Sequence, residues 1–172
     1  MSALVELGRW SFSLGDLQNV AESVGQMLPE SGVVAVHGDM GAGKTTMIRQ
    51  LLSVWHVDEE GASPTFGLVH HHRVKRTGGG VHEVRHMDLY RLENEEEAER
   101  SGIAEMLSDA ALNLVEWPER IPGLMPPDAW LLRLEVNEDQ TRTCILSQLR
   151  GHLFFFVTGH FEVDPIISFF CF

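Results

Sequence analysis

The chain has 172 residues, of which 44% are apolar and 22% charged, and its formal net charge is -12. That length holds one domain with a sizeable core. So acidic a balance argues against a stand-alone nucleic-acid binder, because phosphate contacts need concentrated Lys and Arg, and suits a basic or mixed protein partner better. Cys144 and Cys171 are the only two cysteines and have no ligand-like spacing, which favours a reducing cytoplasm without a disulfide framework. The first 17 residues do not show a basic segment followed by an apolar run, so no secretory signal is expected. No uninterrupted apolar stretch is long enough to span a bilayer.

Residues 7–13 alternate loosely and predict a short edge strand. Leu14, Leu17, Val20, Ala21, Val24 and Leu28 then recur at helical spacing, with Ser13 placed to cap the helix. Residues 32–38, "GVVAVHG", read as a buried parallel strand. The helix expected over 44–55 carries Met47, Ile48, Leu51, Leu52 and Trp55 on its inner side. Residues 61–76 and 81–92 predict two strands joined by a turn that Gly78, Gly79 and Gly80 supply. "NEEEAERSGIAEML" predicts a third helix, with Asn94 and Glu97 in a capping-box arrangement. Residues 110–117 read as another buried strand, 118–127 as a proline-rich turn, and 129–136 and 141–149 as a closing strand pair. This order predicts an α/β sheet with antiparallel additions rather than a purely doubly wound one.

Residues 38–45, "GDMGAGKT", fill every position of G-x-x-x-x-G-K-[ST], with Gly38, Gly43, Lys44 and Thr45 at its fixed points and Asp39, Met40, Gly41 and Ala42 between them. Glycines let backbone N–H groups turn onto phosphate oxygens, and the following helix adds its N-terminal dipole. Lys44 can reach the outer phosphates, and the Thr45 hydroxyl can ligate Mg²⁺. A strand before and a helix after give the motif its required context.

A nucleotide-hydrolysing site also needs a carboxylate at the end of a neighbouring strand. Asp88 closes "VHEVRHMD" and Glu116 closes "ALNLVE". Each could instead pair with a nearby arginine, Arg85 or Arg91 for Asp88 and Arg120 for Glu116. Trp117 could stack on a base, support the loop or fill the core.

Among the weaker signals, "HHHRVKR" (70–76) places His70 and His72 on one strand face and His71 on the other, so the three cannot share one metal. A solvated strand with a basic end is the expectation. The acidic start of the third helix suits its dipole. "SPTF" (63–66) lies where switch-type NTPases can sense a γ-phosphate.

In this order and spacing, "GDMGAGKTT", "SPTF", "HMDLYRL" and "LVEWPER" resemble the TsaE (YjeE) family of bacterial P-loop ATPases required for threonylcarbamoyladenosine synthesis on tRNA. The likeness covers residues from about 7 to about 135. It implies a P-loop NTPase-like three-layer fold with a mixed parallel and antiparallel central sheet. It implies ATP and Mg²⁺ as cofactors, with Lys44 and the loop through Thr46 on the phosphates and Thr45, Glu116 and Asp88 at the metal. Thr65 becomes a candidate γ-phosphate sensor, and Trp117 matches the family's tryptophan beside the metal glutamate. Adenine contacts are expected near residues 12–14. The implied ATPase is weak alone and works with TsaD and TsaB, which transfer the threonylcarbamoyl group to adenosine 37 of tRNA, so tRNA is met only through that complex. The rival classes are a small-molecule or nucleoside kinase and a nucleotide-binding regulatory module. No acceptor-binding arginine cluster stands out, as such a kinase would want.

The resemblance assigns residues 1–150 to the ATPase domain. Residues 151–172 depart from it, and seven of the nine phenylalanines fall there. An altered reading frame, an extra packed element and an exposed docking segment all remain open readings of that tail.

Overall fold

The structure is a computed structural model that describes residues 3–58, 67–75 and 80–150. In chain order the elements are β1 (Ala3–Phe12), α1 (Leu17–Met27), β2 (Gly32–His37), α2 (Lys44–Val54), β3 (Val57–Asp58), β4 (Val69–Lys75), β5 (Val81–Asp88), α3 (Glu95–Arg100), α4 (Ile103–Leu107), β6 (Leu112–Glu116), β7 (Trp130–Val136) and β8 (Arg142–Arg150). Eight strands form one sheet in the order β1-β8-β7-β2-β6-β5-β4-β3. Its centre is parallel: β5, β6, β2 and β7 run the same way. Antiparallel partners extend both flanks, β8 and β1 on one side and β4 and β3 on the other. The mixed sheet expected from the element order is the one observed.

Strand alternation splits the core into two layers. Val34, Val36, Leu112, Leu114, Leu132 and Leu134 face α1 and α2, where they meet Val24, Met47, Ile48 and Leu51. Val33, Met87 and Val115 point the other way and pack with Ala98, Ile103 and Leu107 of α3 and α4. Helices on both faces of the sheet give a three-layer, P-loop NTPase-like α/β fold. Among the described residues no helix is long and apolar enough to cross a membrane.

Three elements differ from their expected form. β1 starts earlier than residue 7, and its register slips between Glu6 and Gly8. That bulge interrupts the two-residue alternation by which the strand would be read. Ser13 does not cap α1: its hydroxyl donates to Asp16 at 2.6 Å, across a 3-10 turn (Leu14–Asp16) that precedes the helix. The third helix is two helices, because Gly102 between them takes φ +75, a left-handed conformation that stops a right-handed helix. Asn94 does cap α3, accepting from Glu97 N–H at 2.9 Å, while the Glu97 carboxylate reaches the N–H of Glu93 rather than that of Asn94.

Candidate active site

The carboxyl ends of β2, β5 and β6 meet the amino end of α2, where ligands of open α/β sheets bind. The connection from β2 to α2 is the glycine loop. Gly38 packs so closely on β7 that a Cβ there would lie 2.4 Å from the Leu134 carbonyl oxygen, so no other residue fits without moving the strand. Gly41 and Gly43 have the opposite surroundings: a Cβ on either would meet no atom within 4 Å. The loop therefore leaves open space above its middle, as a cradle for phosphates requires. Gly43, at φ +100, turns the chain directly into the first turn of α2.

Lys44 opens α2 with only 6% of its surface exposed. Its Nζ donates to the carbonyl oxygens of Gly38 at 2.6 Å and Asp39 at 2.9 Å, and lies 4.0 Å from the centroid of the Trp117 ring. Burial pulls the ammonium below its ordinary pKa, and the charges of Glu116, Glu119, Asp39 and Asp88 oppose that shift. The lysine of the cleft thus sits partly desolvated among carboxylates, poised to interact strongly with an anion.

Thr45 Oγ1 donates to Glu116 Oε2 at 2.9 Å. Glu116 ends β6, is 2% exposed, and its other oxygen lies 2.7 Å from His86 Nε2. Asp88 ends β5 directly beside it, as the register partner of Glu116 in the parallel pair. Asp88 is exposed, and its Oδ1 accepts from Tyr90 N–H. Neither carboxylate takes the arginine that proximity in sequence offered. Arg85 instead crosses to the α4 layer, where it donates to Asp109 at 2.6 Å and to Met106 O at 3.0 Å.

Trp117 holds φ +58 and ψ +49 immediately before Pro118, an unusual backbone for a bulky residue. That turn aims the indole back at Lys44, and the Tyr90 ring backs it at a centroid distance of 5.0 Å. Gly43, Lys44, Thr45, Asp88, Glu116 and Trp117 line one cleft of about 350 Å³, to which Met40, Gly41 and Thr46 also contribute. On the other flank of the loop, His37, Gly38, Asp39, Arg133, Glu135 and Asn137 border a second hollow of about 550 Å³. Phe12 is buried and Leu14 exposed.

A hydroxyl and two carboxylates make an all-oxygen donor set, suited to a hard cation such as Mg²⁺ rather than to Zn²⁺ or copper. Among the described residues no group of three or more His, Cys, Asp and Glu forms a protein-only metal cage. A small set of oxygen donors fits Mg²⁺, which typically keeps waters and shares a few protein ligands with substrate phosphates. Thr45, Asp88 and Glu116 line the same cleft.

Not every expectation lands in the cleft. Thr65 and the rest of "SPTF" lie outside the described residues, as do residues 151–172. The histidine run is not a solvated strand: Val69 and Val74 are buried, and His70, His71 and His72 are half-buried. Within β4 only Arg73 and Lys75 are exposed. His71 does face away from its neighbours, bonding Glu83 at 3.1 Å, while His70 meets His86 across the strand pair. Sequence reasoning missed His86, although it stands two residues before Asp88 and therefore shares its strand face.

Residues 12–144 match the model of the family described as threonylcarbamoyl adenosine biosynthesis protein TsaE. Proteins named tRNA threonylcarbamoyladenosine biosynthesis protein TsaE are similar over most of their length. The one from Rickettsia bellii is 31% identical over 133 residues, covering 77% of this chain and 88% of the relative. The one from Treponema pallidum is 33% identical over 121 residues, covering 69% and 84%. The crystal structure of Bacillus subtilis YdiB superposes with a TM-score of 0.65 over 86% of this chain and 88% of that one, at 20% identity, which shows the shared fold. A complete phosphate-loop signature in this fold, and a family match across 12–144, together establish that the chain belongs to the TsaE family of tRNA threonylcarbamoyladenosine biosynthesis proteins.

Proposed function

We propose that this chain is the ATP-binding and ATP-hydrolysing subunit of threonylcarbamoyladenosine modification at tRNA adenosine 37, a cytoplasmic protein that acts with TsaD and TsaB. The observation that carries the reading is the bond from Thr45, on the loop helix, to Glu116, at a strand end seventy-one residues away in sequence. A strand-end carboxylate beside the P-loop hydroxyl is what a metal–phosphate site requires.

In this reading the loop amides of Gly38–Thr46, with Lys44, hold the phosphates of ATP. Thr45, Glu116 and Asp88 would hold Mg²⁺, which when bound neutralises charge on the phosphates. Lys44 has donors to spare: its Nζ carries three N–H bonds and here uses two on loop carbonyls. Trp117 keeps that ammonium over the loop and excludes water from one side. Thr65 serves as the γ-phosphate sensor. The chain supplies no transfer chemistry to tRNA; binding and hydrolysis of ATP reset the TsaD–TsaB assembly between turnovers.

Phosphate release from Mg·ATP, with and without the TsaD–TsaB pair, tests this. Slow release alone and faster release with the pair are expected. Phosphoryl transfer to a small acceptor, or no turnover under either condition, would contradict it.

A further inference from the structure

We infer that His86 is a positioning residue: it holds the buried carboxylate of Glu116 by one oxygen so that the other faces Thr45 and the metal position. The inference rests on the Mg²⁺–nucleotide reading above and adds a residue to it.

The geometry is that of a clamp. Glu116 has two oxygens and two different partners, His86 Nε2 on Oε1 at 2.7 Å and Thr45 Oγ1 on Oε2 at 2.9 Å. With Glu116 ionised both oxygens only accept, so Nε2 of His86 carries the hydrogen. The His86 and Glu116 side chains are 10% and 2% exposed, so water has little access to replace this bond. Parallel pairing makes the contact possible. His86 lies beside Leu114, two residues before the Asp88–Glu116 pair, and strand alternation turns His86, Asp88 and Glu116 to the same face. His86 thus stands behind the carboxylate, on the side away from the open cleft. Its own ring is backed by that of His70 on β4, with centroids 5.9 Å apart and planes tilted by 32°.

The physical consequence follows from what an unclamped glutamate does. A carboxylate on three rotatable side-chain bonds samples several orientations unless something fixes it. Outer partners of metal-binding carboxylates fix that orientation, and their loss typically costs 10–100-fold in metal affinity. A residue that merely filled space would be replaceable by an apolar side chain of similar volume. A residue that clamps by donation is replaceable only by another donor.

The test is calorimetric titration of ADP into the full-length protein over a series of Mg²⁺ concentrations and in EDTA, for wild type, His86→Ala, His86→Leu and His86→Gln. His86→Ala and His86→Leu are expected to raise the half-saturating Mg²⁺ concentration about tenfold, with ADP affinity in EDTA unchanged. His86→Gln, whose amide N–H can occupy the place of Nε2–H, is expected to recover most of the loss. Thermal unfolding of each variant reports folding, and if His86→Ala does not fold, the Leu–Gln pair decides alone because both fill the site. A Mg²⁺ dependence equal to wild type in His86→Leu, or equal impairment in Leu and Gln, overturns the clamp while leaving the Mg²⁺ site standing. ADP binding by wild type with no response to Mg²⁺ would remove the functional reading and the clamp together.

Discussion

Arg85 and His86 are adjacent on β5 and both are buried, yet they belong to different clusters. Arg85 turns to the α4 layer, where it joins Glu83 at 2.9 Å, Asp109 at 2.6 Å and the Met106 carbonyl. Nearby, Asn113 donates to the carbonyls of Gly32, Met106 and Ala111. These partners gather at the amino ends of β2 and β6, and several are backbone groups. His86 turns to the α2 layer and the carboxyl ends of the same strands, where its partner Glu116 lines an open cleft with Lys44 and Thr45. Burial alone does not separate a structural polar cluster from a functional one. What separates them is the end of the parallel strands at which they sit, and whether their groups converge on space or on backbone.

The sharpest way to break this contrast is to neutralise each cluster and read both stability and nucleotide binding. Glu116→Gln keeps volume and an acceptor for His86, so it should leave the melting temperature nearly unchanged while lowering Mg²⁺-dependent hydrolysis by about a hundredfold. Arg85→Met should do the reverse. Loss of its three donated bonds should cost about 1–3 kcal/mol in denaturant unfolding, with ADP affinity at saturating Mg²⁺ unchanged. A stable Arg85→Met protein that has lost ADP binding would erase the distinction.

A smaller effect concerns acid. The Arg85 guanidinium bonded to Asp109 holds that carboxyl below its usual range, helped by the Ala111 N–H and opposed by partial burial. A carboxylate depressed in the folded state adds stability that is fully present above its unfolded pKa and is lost as pH falls through the folded value. Below about pH 4, wild type should therefore lose stability that Asp109→Asn has already lost. Melting curves of the two should converge as the pH drops, and parallel curves would place the Arg85–Asp109 pair outside the stability balance.

The smallest effect tests whether the α2 layer is closed away from its cleft. Cys144 is buried in that layer, and burial pushes its thiol up to about 12. In a Cys171→Ser variant at pH 8, a thiol reagent should label Cys144 only as fast as the protein opens. Rapid labelling would mean that the layer is open to solvent well beyond the nucleotide cleft.

Much of this arrangement was legible in the residues. The loop signature carries its own geometry, and "ALNLVE" ends an apolar strand on a charge, which places Glu116 at a sheet edge before any pairing is known. Asp88 closes "VHEVRHMD", a strand of mixed polarity, so only its place at a strand end marked it. His86 was not, because its partner is 30 residues away and the bond exists only once β5 and β6 are paired in parallel. The period of two could have marked it as sharing a face with Asp88, but not as touching Glu116. The break between α3 and α4 had a signal in "SG" at 101–102, masked by apolar spacing that continues through it. The half-burial of His70 and His72 had none, since polarity in sequence does not say what packs against a strand's face.

We propose that the carboxyl-edge cluster is a metal–nucleotide site. Crystals of the full-length protein grown with ADP and Mn²⁺ in place of Mg²⁺ test it most directly, by the anomalous signal of the manganese. One strong peak is expected within coordinating distance of Thr45 Oγ1 and beside Glu116, with the ADP phosphates in the loop at residues 38–45. A peak on the histidines of β4, or a nucleotide bound away from the loop, would contradict it.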